Sequence, residues 1–262
     1  MKDHRHFKPQ AIIFDKDGTL IDFDAMWDGW TIHLADQLHQ ASRLDVREAM
    51  CLAMGYDINS KKVLAGSMLA SNPMTRLYDL TIETMQSLGL SELTAAKLVE
   101  QVWCIPDPVL LARPITDMRT LFSQLTEQGI KVAIATADDR APTQAMVDAF
   151  DVGEYISSMV CADDGISSKP APDMVLSLCK QMDLEPSKVM VIGDTISDLK
   201  MAHAAGAGLA VGVLSGVSST KDLVELADVL IESVDELNEY TFAFSDNESQ
   251  QTKSGLNPDF AF

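Results

Sequence analysis

The segment Ala11-Ile12-Ile13-Phe14-Asp15-Lys16-Asp17-Gly18-Thr19-Leu20 changes character abruptly at Asp15. Four apolar residues read as a short buried strand. Two carboxylates at i and i+2 follow at once, and Gly18 lets the chain turn sharply behind them. In a parallel α/β sheet the binding crevice lies at the carboxyl ends of the strands. Asp15 and Asp17 therefore stand in that crevice if the rest of the chain supplies the sheet.

It does. Similar apolar runs occupy 131–135, 189–192 and 208–211, with weaker candidates at 158–161 and 229–231. Helical patterns fall between them, at 115–128, 141–150, 173–182 and 197–205; the first stops at Gly129, a good residue for a helix end. Strands alternating with helices of this length predict a Rossmann-like α/β core with a parallel sheet covered on both faces.

The rhythm breaks after the first strand. From about 24 to 111 no convincing strand appears. Trp27, Trp30 or Thr31, Leu34 and Leu38 share one helical face. Stretches 43–54 and 74–88 end at Gly55 and Gly89, Ser91 can cap a helix running to Trp103, and Pro106, Pro108 and Pro114 mark the return. The expected division is a core of 1–22 and 112–240, an all-helical cap domain of 23–111 inserted after the first strand, and a loose polar tail at 241–262.

Composition narrows the function. The 262 residues carry a formal net charge of −19, with a pI near 4.4. So acidic a surface repels a phosphate backbone and disfavours an anionic membrane, so no nucleic acid and no membrane partner is expected. The four cysteines, Cys51, Cys104, Cys161 and Cys179, form no CxxC pair, and a reducing cytoplasmic setting with free thiols follows. The first ten residues hold no apolar run of the kind a signal peptide needs, and the apolar stretch at 204–213 is interrupted by three glycines and too short for a membrane span.

Four polar sets sit just past four predicted strands. Asp15 and Asp17 can share a cation and still divide the labour, one attacking and one moving a proton; Asp-Gly is also an ordinary turn signal. Thr136 offers a hydroxyl among backbone N–H groups that, with Ala137, could hold phosphate oxygens, although threonine at a strand end is commonplace. Lys169, in Ser168-Lys169-Pro170-Ala171-Pro172, supplies a compact positive charge; most lysines are merely solvated. Asp194 and Asp198, four apart where a helix begins, are hard oxygen ligands suited to magnesium, and Asp198 could equally cap the helix.

Taken in order, the Asp pair, Thr, Lys and second Asp pair resemble the four-motif signature of the haloacid dehalogenase (HAD) superfamily, over the core from Phe14 to about Leu237. The helical insert looks like that superfamily's C1 cap. The resemblance implies that Asp15 is a nucleophile forming an aspartyl-phosphate and that Asp17 is the general acid/base. It implies that Thr136 and Ala137 bind the phosphoryl group and that Lys169 pairs with phosphate and with Asp15. Mg2+ would be held by Asp15, the Asp17 backbone carbonyl and Asp194, with Asp198 in support. An Asp at position 17 favours phosphoryl chemistry over dehalogenation.

Within the superfamily the chain looks most like the phosphoglycolate phosphatase-like and β-phosphoglucomutase-like branch. It departs at Lys16, between the two aspartates, whose side chain is expected to point away from the site. It departs again at Ala137-Asp138-Asp139-Arg140, where that branch often has Asn-Lys. From the insert, Asp22, Phe23, Asp24, Trp27 and the loop 65–72 are placed to face the site, while Arg43, Lys61, Lys62 and Arg76 are candidate anion binders; the aromatic residues also read as packing between cap helices. The implied partner is a small phosphorylated metabolite, and the chain a monomer or homodimer. A β-phosphoglucomutase-like phosphomutase is the alternative activity, and a non-catalytic binding protein on the same core a third reading.

Overall fold

The computed structural model describes residues 7–60, 62–104 and 112–237. Its centre is a six-stranded parallel sheet in the order β5-β4-β1-β6-β7-β8. The strands are β1 (Ala11–Phe14), β4 (Lys131–Ala135), β5 (Ile156–Val160), β6 (Val189–Gly193), β7 (Leu209–Val213) and β8 (Val229–Ile231). Both weak strand candidates are strands. The covering helices are α6 (Met118–Glu127), α7 (Arg140–Ala149), α8 (Asp173–Met182), α9 (Ile196–Ala205) and the short α10 (Thr220–Leu223).

The inner strands β4, β1, β6 and β7 are buried on both faces because they carry no polar side chain at their centres, and the alternation of side chains divides them between two cores. Ile12, Phe14, Val132, Ile134, Met190 and Ile192 join one, with Leu121, Phe122 and Leu125 of α6. Ala11, Ile13, Ala133, Ala135, Val189 and Val191 join the other, with Met174, Val175 and Leu178 of α8 and Leu199 and Ala202 of α9. Helix α6 starts three residues later than its apolar pattern suggests. Asp117 caps it, its carboxylate accepting the Thr120 N–H at 3.1 Å, so the residues before Asp117 are left outside the helix.

Between β1 and β4 lie α1 (Phe23–Ser42), α2 (Arg47–Met54), α3 (Met68–Ser71), α4 (Met74–Ser87) and α5 (Glu92–Val102). Gly55, at φ 77°, ends α2 as expected. The insert is not purely helical: β2 (Tyr56–Asp57) and β3 (Lys62–Val63) pair antiparallel. Strands of two residues are too short for a period-2 pattern, which is why the sequence shows no sign of them. Trp27, Trp30, Trp103 and Tyr78 join the insert's helices in a run of edge-to-face contacts, ring centroids 5.1–5.5 Å apart. The Trp30 indole N–H donates to the Cys104 carbonyl at 2.7 Å.

The two strands of chain that link insert and core run side by side. Asp22 N–H donates to the Arg113 carbonyl at 2.8 Å and Ile115 N–H to the Leu20 carbonyl at 2.9 Å. Pro106, Pro108, Lys61 and the expected tail at 241–262 lie outside the described residues. No helix among the described residues is long and apolar enough to cross a membrane. All four cysteines are free thiols.

Candidate active site

Strands β4, β1 and β6 are neighbours, and each is followed directly by a residue singled out from the sequence, Thr136, Asp15 and Asp194. The ladder carries one bond past the strand ends: Asp15 N–H donates to the Ile192 carbonyl at 2.9 Å, and Thr136 N–H to the Val160 carbonyl at 3.0 Å. The backbone at Asp15 and Thr136 is thus as rigid as the sheet, while the side chains lie beyond it.

Lys169 arrives from the loop between β5 and α8. Its Nζ stands 2.5 Å from Asp15 Oδ1 and 2.6 Å from Asp198 Oδ1, and all three side chains are buried. Burial works against the ammonium's charge, yet Asp15 and Asp198 together push its pKa up. Burial pushes the Asp15 carboxyl up to about 7 even though Lys169 pulls it down.

Asp198 serves two ends. Its Oδ2 accepts the Thr195 N–H at 3.0 Å and the Thr195 hydroxyl at 2.6 Å, while Thr195 Oγ1 accepts the Asp198 N–H. That reciprocal capping box starts α9. The helix-cap reading of Asp198 holds, and the same cap turns Oδ1 toward Lys169.

Asp194 is fully buried. One oxygen, Oδ2, accepts the Val217 N–H at 2.8 Å, and the other has no hydrogen-bond partner. Burial, and the nearby Asp15 and Asp198 charges, raise its pKa well above the ordinary carboxylate range. Glycine is required around it. A Cβ at Gly18, where φ is +85°, would fall 2.5 Å from Asp194 Oδ2, and one at Gly216 would fall 2.0 Å from it.

A divalent cation fits this arrangement. Asp15, Asp194 and Asp198 each present a carboxylate oxygen, all within 4.8 Å of one another and all buried. An unpartnered buried oxygen and raised carboxyl pKa values are the signs of negative charge lacking a counter-ion. Hard oxygen donors match a hard dication. Asp17's carboxylate is not part of this cluster; the ligand expected from Asp17 is its backbone carbonyl.

A cavity opens over these groups. Asp15, Asp17, Thr136, Ala137, Asp138, Lys169, Asp194 and Asp198 line it from the core, with Ser168, Thr195 and Ser197. Phe23, Trp27, Leu69, Ala70, Asn72, Pro73 and Met74 line it from the insert. Phe23, Trp27 and part of the loop 65–72 thus stand where the sequence suggested. Asp22, Arg43, Lys62 and Arg76 are not among the lining residues; Arg76 pairs with Glu83 at 2.9 Å on the exposed face of α4. The side chain of Asp24 is outside what the structure describes.

Lys16 lies outside the cavity lining, but its side chain does not turn to solvent. It is 1% exposed, and its Nζ lies 2.6 Å from Asp17 Oδ1 and 3.0 Å from Asp138 Oδ2. An ammonium in the interior needs counter-charges, and the loop after β4 provides the second one. Asp138 was visible in the sequence only as added acidity after Thr136. Val217 and Gly216, which hold and flank Asp194, carried no signal at all.

The same architecture recurs among known proteins. A HAD-superfamily hydrolase of subfamily IA from Geobacter sulfurreducens superposes with a TM-score of 0.61 at 17% identity, covering 90% of this chain and 98% of that one. A protein from Thermotoga maritima assigned as a β-phosphoglucomutase gives 0.62 at 20% identity, covering 90% and 98%. At such identities the likeness is one of fold. Among curated relatives, the phosphoglycolate phosphatase of Escherichia coli (strain K12) is 26% identical over 114 residues, a match that spans 43% of this chain and only 45% of that protein. The phosphoglycolate phosphatase of Aquifex aeolicus is 24% identical over 230 residues, 84% of this chain and 97% of that one. The haloacid dehalogenase-like hydrolase family matches residues 9–206, which include Asp15, Asp17, Thr136, Lys169, Asp194 and Asp198, and the chain belongs to that family.

Proposed function

We propose that the chain is a magnesium-dependent phosphatase of the cytoplasm that hydrolyses a small phosphomonoester, with phosphoglycolate among the first candidates. The observation that carries the reading is the Lys169 bridge. It holds Asp15 and Asp198 together beside the partnerless oxygen of Asp194, on the floor of a cavity roofed by the insert.

In this reading Asp15 attacks phosphorus. The bond to the leaving oxygen breaks with its electron pair going to that oxygen, which takes a proton from Asp17. Water then attacks the phosphorus of the aspartyl-phosphate, Asp17 takes its proton, and phosphate leaves with Asp15 restored as carboxylate. Thr136 and the Ala137 backbone hold phosphoryl oxygens, and Lys169 offsets the repulsion between two anions. Magnesium, when bound at Asp15, Asp194 and the Asp17 carbonyl, would supply further charge neutralisation. Residues 23–111 act as the cap and 1–22 with 112–240 as the core. The insert's contribution to the cavity is mostly apolar, which suits a compact leaving group and gives a nucleic acid or phosphoprotein little to hold. A monomer or a homodimer would suffice, since one chain supplies every group named.

The test is phosphate release from a panel of phosphoglycolate, sugar phosphates and phosphopeptides, with Asp15→Asn beside the wild type. The nearly isosteric amide should fold normally and lose about 100-fold or more in kcat, being a poor nucleophile. Wild-type-like turnover in pure Asp15→Asn protein would end the covalent reading. Isomerisation of a sugar phosphate without phosphate release would replace the phosphatase by the phosphomutase.

A further inference from the structure

The mechanism above gives Lys16 no task, yet Lys16 is among the most completely buried large side chains of the core. Burying an ammonium and its long stem carries a desolvation cost and an entropic one, and only good partners offset them. Both partners here are carboxylates on the wall of the reaction cavity. Lys16 itself does not line that cavity, but Asp17 and Asp138 do. The lysine stands behind the wall and holds two of its groups from the back.

Each end of this arrangement is anchored. The Lys16 carbonyl accepts the N–H groups of Leu20 at 2.8 Å and Ile21 at 3.0 Å, so the backbone that carries the lysine is closed into a turn. On the other side, Asp138 N–H donates to Thr136 Oγ1 at 3.0 Å, and Asp138 Oδ1 accepts the Asp139 N–H at 2.8 Å. Asp138 is therefore fixed to the loop that carries the phosphate-binding Thr136. A lone aspartate is poorly oriented about its last torsion, which has a broad, roughly two-fold profile. Tying one oxygen to a fixed ammonium removes that freedom.

We propose that Lys16 and Asp138 are positioning residues for Asp17, a clamp that reserves Asp17 Oδ1 for the ammonium and turns Oδ2 toward the leaving-group oxygen. Lys16 touches neither substrate nor phosphorus. It acts through Asp17, and Asp138 acts through Lys16 by keeping the ammonium centred between the two carboxylates. The proposal rests on the acid/base role given to Asp17 above.

The experiment compares wild type, Lys16→Met and Asp138→Asn on two phosphate esters. Propyl phosphate has a poor leaving group and needs a well-placed proton; p-nitrophenyl phosphate releases a stable anion and needs little help. Both variants should lose about tenfold or more in kcat on propyl phosphate, about threefold or less on p-nitrophenyl phosphate, and change KM by about twofold or less, because misplacing a general acid forfeits only part of its effect. Lys16→Met leaves two carboxylates unpaired and could fail to fold. Asp138→Asn keeps the Lys16–Asp17 pair and carries the test in that event. Equal losses on both esters, or a change in KM alone, would reduce the clamp to a structural tie between two loops and overturn the proposal. A crystal structure of Asp138→Asn adds a readout independent of activity. The Asp17 carboxylate should turn relative to wild type, and an unmoved carboxylate refutes the clamp. If wild-type protein hydrolyses neither ester, the crystallographic comparison decides the positioning role, and the phosphatase reading stands or falls separately on the metabolite panel above.

Discussion

Replacing Lys169 by Met should move stability and cation affinity in opposite directions. The ammonium is the shared partner of Asp15 and Asp198, at 2.5 and 2.6 Å, and both carboxylates are buried. Methionine fills most of the stem's volume but leaves two buried acids facing Asp194 without a positive charge. Breaking a buried pair by removing one partner typically costs about 3–5 kcal/mol, most of it the stranded charge. The metal-free variant should therefore lose roughly that much in urea or guanidinium unfolding. Loss of one positive charge beside Asp15, Asp194 and Asp198 should also make that cluster hold a dication about tenfold or more tighter, some 1.4 kcal/mol. Saturating magnesium should then restore more stability to the variant than it adds to wild type, by the mass-action linkage of a ligand that binds only the folded state. Turnover should still fall by about 100-fold or more, since magnesium restores charge but not the ammonium's place between nucleophile and phosphate. The assays are denaturant unfolding with and without magnesium, and calorimetric titration of the cation. A variant that loses less than about 1 kcal/mol and binds magnesium no better than wild type would refute the idea that Lys169 is the counter-charge of this cluster.

Two further outcomes follow from the same groups. Burial raises the Asp15 pKa to about 7, so between its unfolded value of 3.8 and about 7 the folded protein keeps a proton that the unfolded chain has released. The stability this contributes is present at low pH and lost as pH rises through 7, a difference on the order of 4 kcal/mol. Unfolding in chelator at pH 5 and pH 8 samples the part of that loss above pH 5, roughly 3 kcal/mol, and wild type should lose more than Asp15→Asn, in which Asp194 still titrates; equal pH dependence in the two proteins would contradict it. Gly216→Ala puts a methyl 2.0 Å from a carboxylate oxygen that is buried and held by the Val217 N–H. It should destabilise by about 1–3 kcal/mol and weaken the cation, and unchanged unfolding and metal titration would show that Asp194 can give way.

The chain shows clearly where its chemistry stands, because parallel-sheet topology does most of the placing. Asp15, Thr136 and Asp194 each follow a short apolar run, and once those runs are neighbours in one sheet the three residues converge with no further information. Asp198 follows from Asp194 through helical spacing. What could not be read depends on contacts between loops. The destination of Lys16 is decided by Asp138, on a separate loop, and one-dimensional spacing says nothing of that pairing. Arg43, Lys62 and Arg76 were candidates only by their charge, and charge does not say which way a helix face turns; Arg76 spends its guanidinium on Glu83. The β2–β3 ribbon is too short for any pattern, and the wall formed by Leu69, Pro73 and Met74 looks like ordinary helix packing until the cavity beside it is known.

The charges of the site explain why so acidic a cluster survives folding. Among the described residues, Asp15, Asp17, Asp138, Asp194 and Asp198 lie within reach of two ammonium groups, Lys16 and Lys169. With every acid ionised, five carboxylates against two ammonium groups leave a formal charge of −3. Protonation relieves it in the free protein, which is the physical meaning of the raised carboxyl pKa values of Asp15 and Asp194. A dication would relieve it differently: it would bring the formal charge to −1 and keep Asp15 ionised, the form the proposed attack needs. The two lysines divide the rest. Lys169 neutralises the Asp15 side of the cavity, and Lys16 the Asp17 side. Neither could do the other's work, because each is held between a different pair of aspartates. The acidity that from composition alone reads as solubility is, at this one place, an incomplete charge balance that a cation would complete.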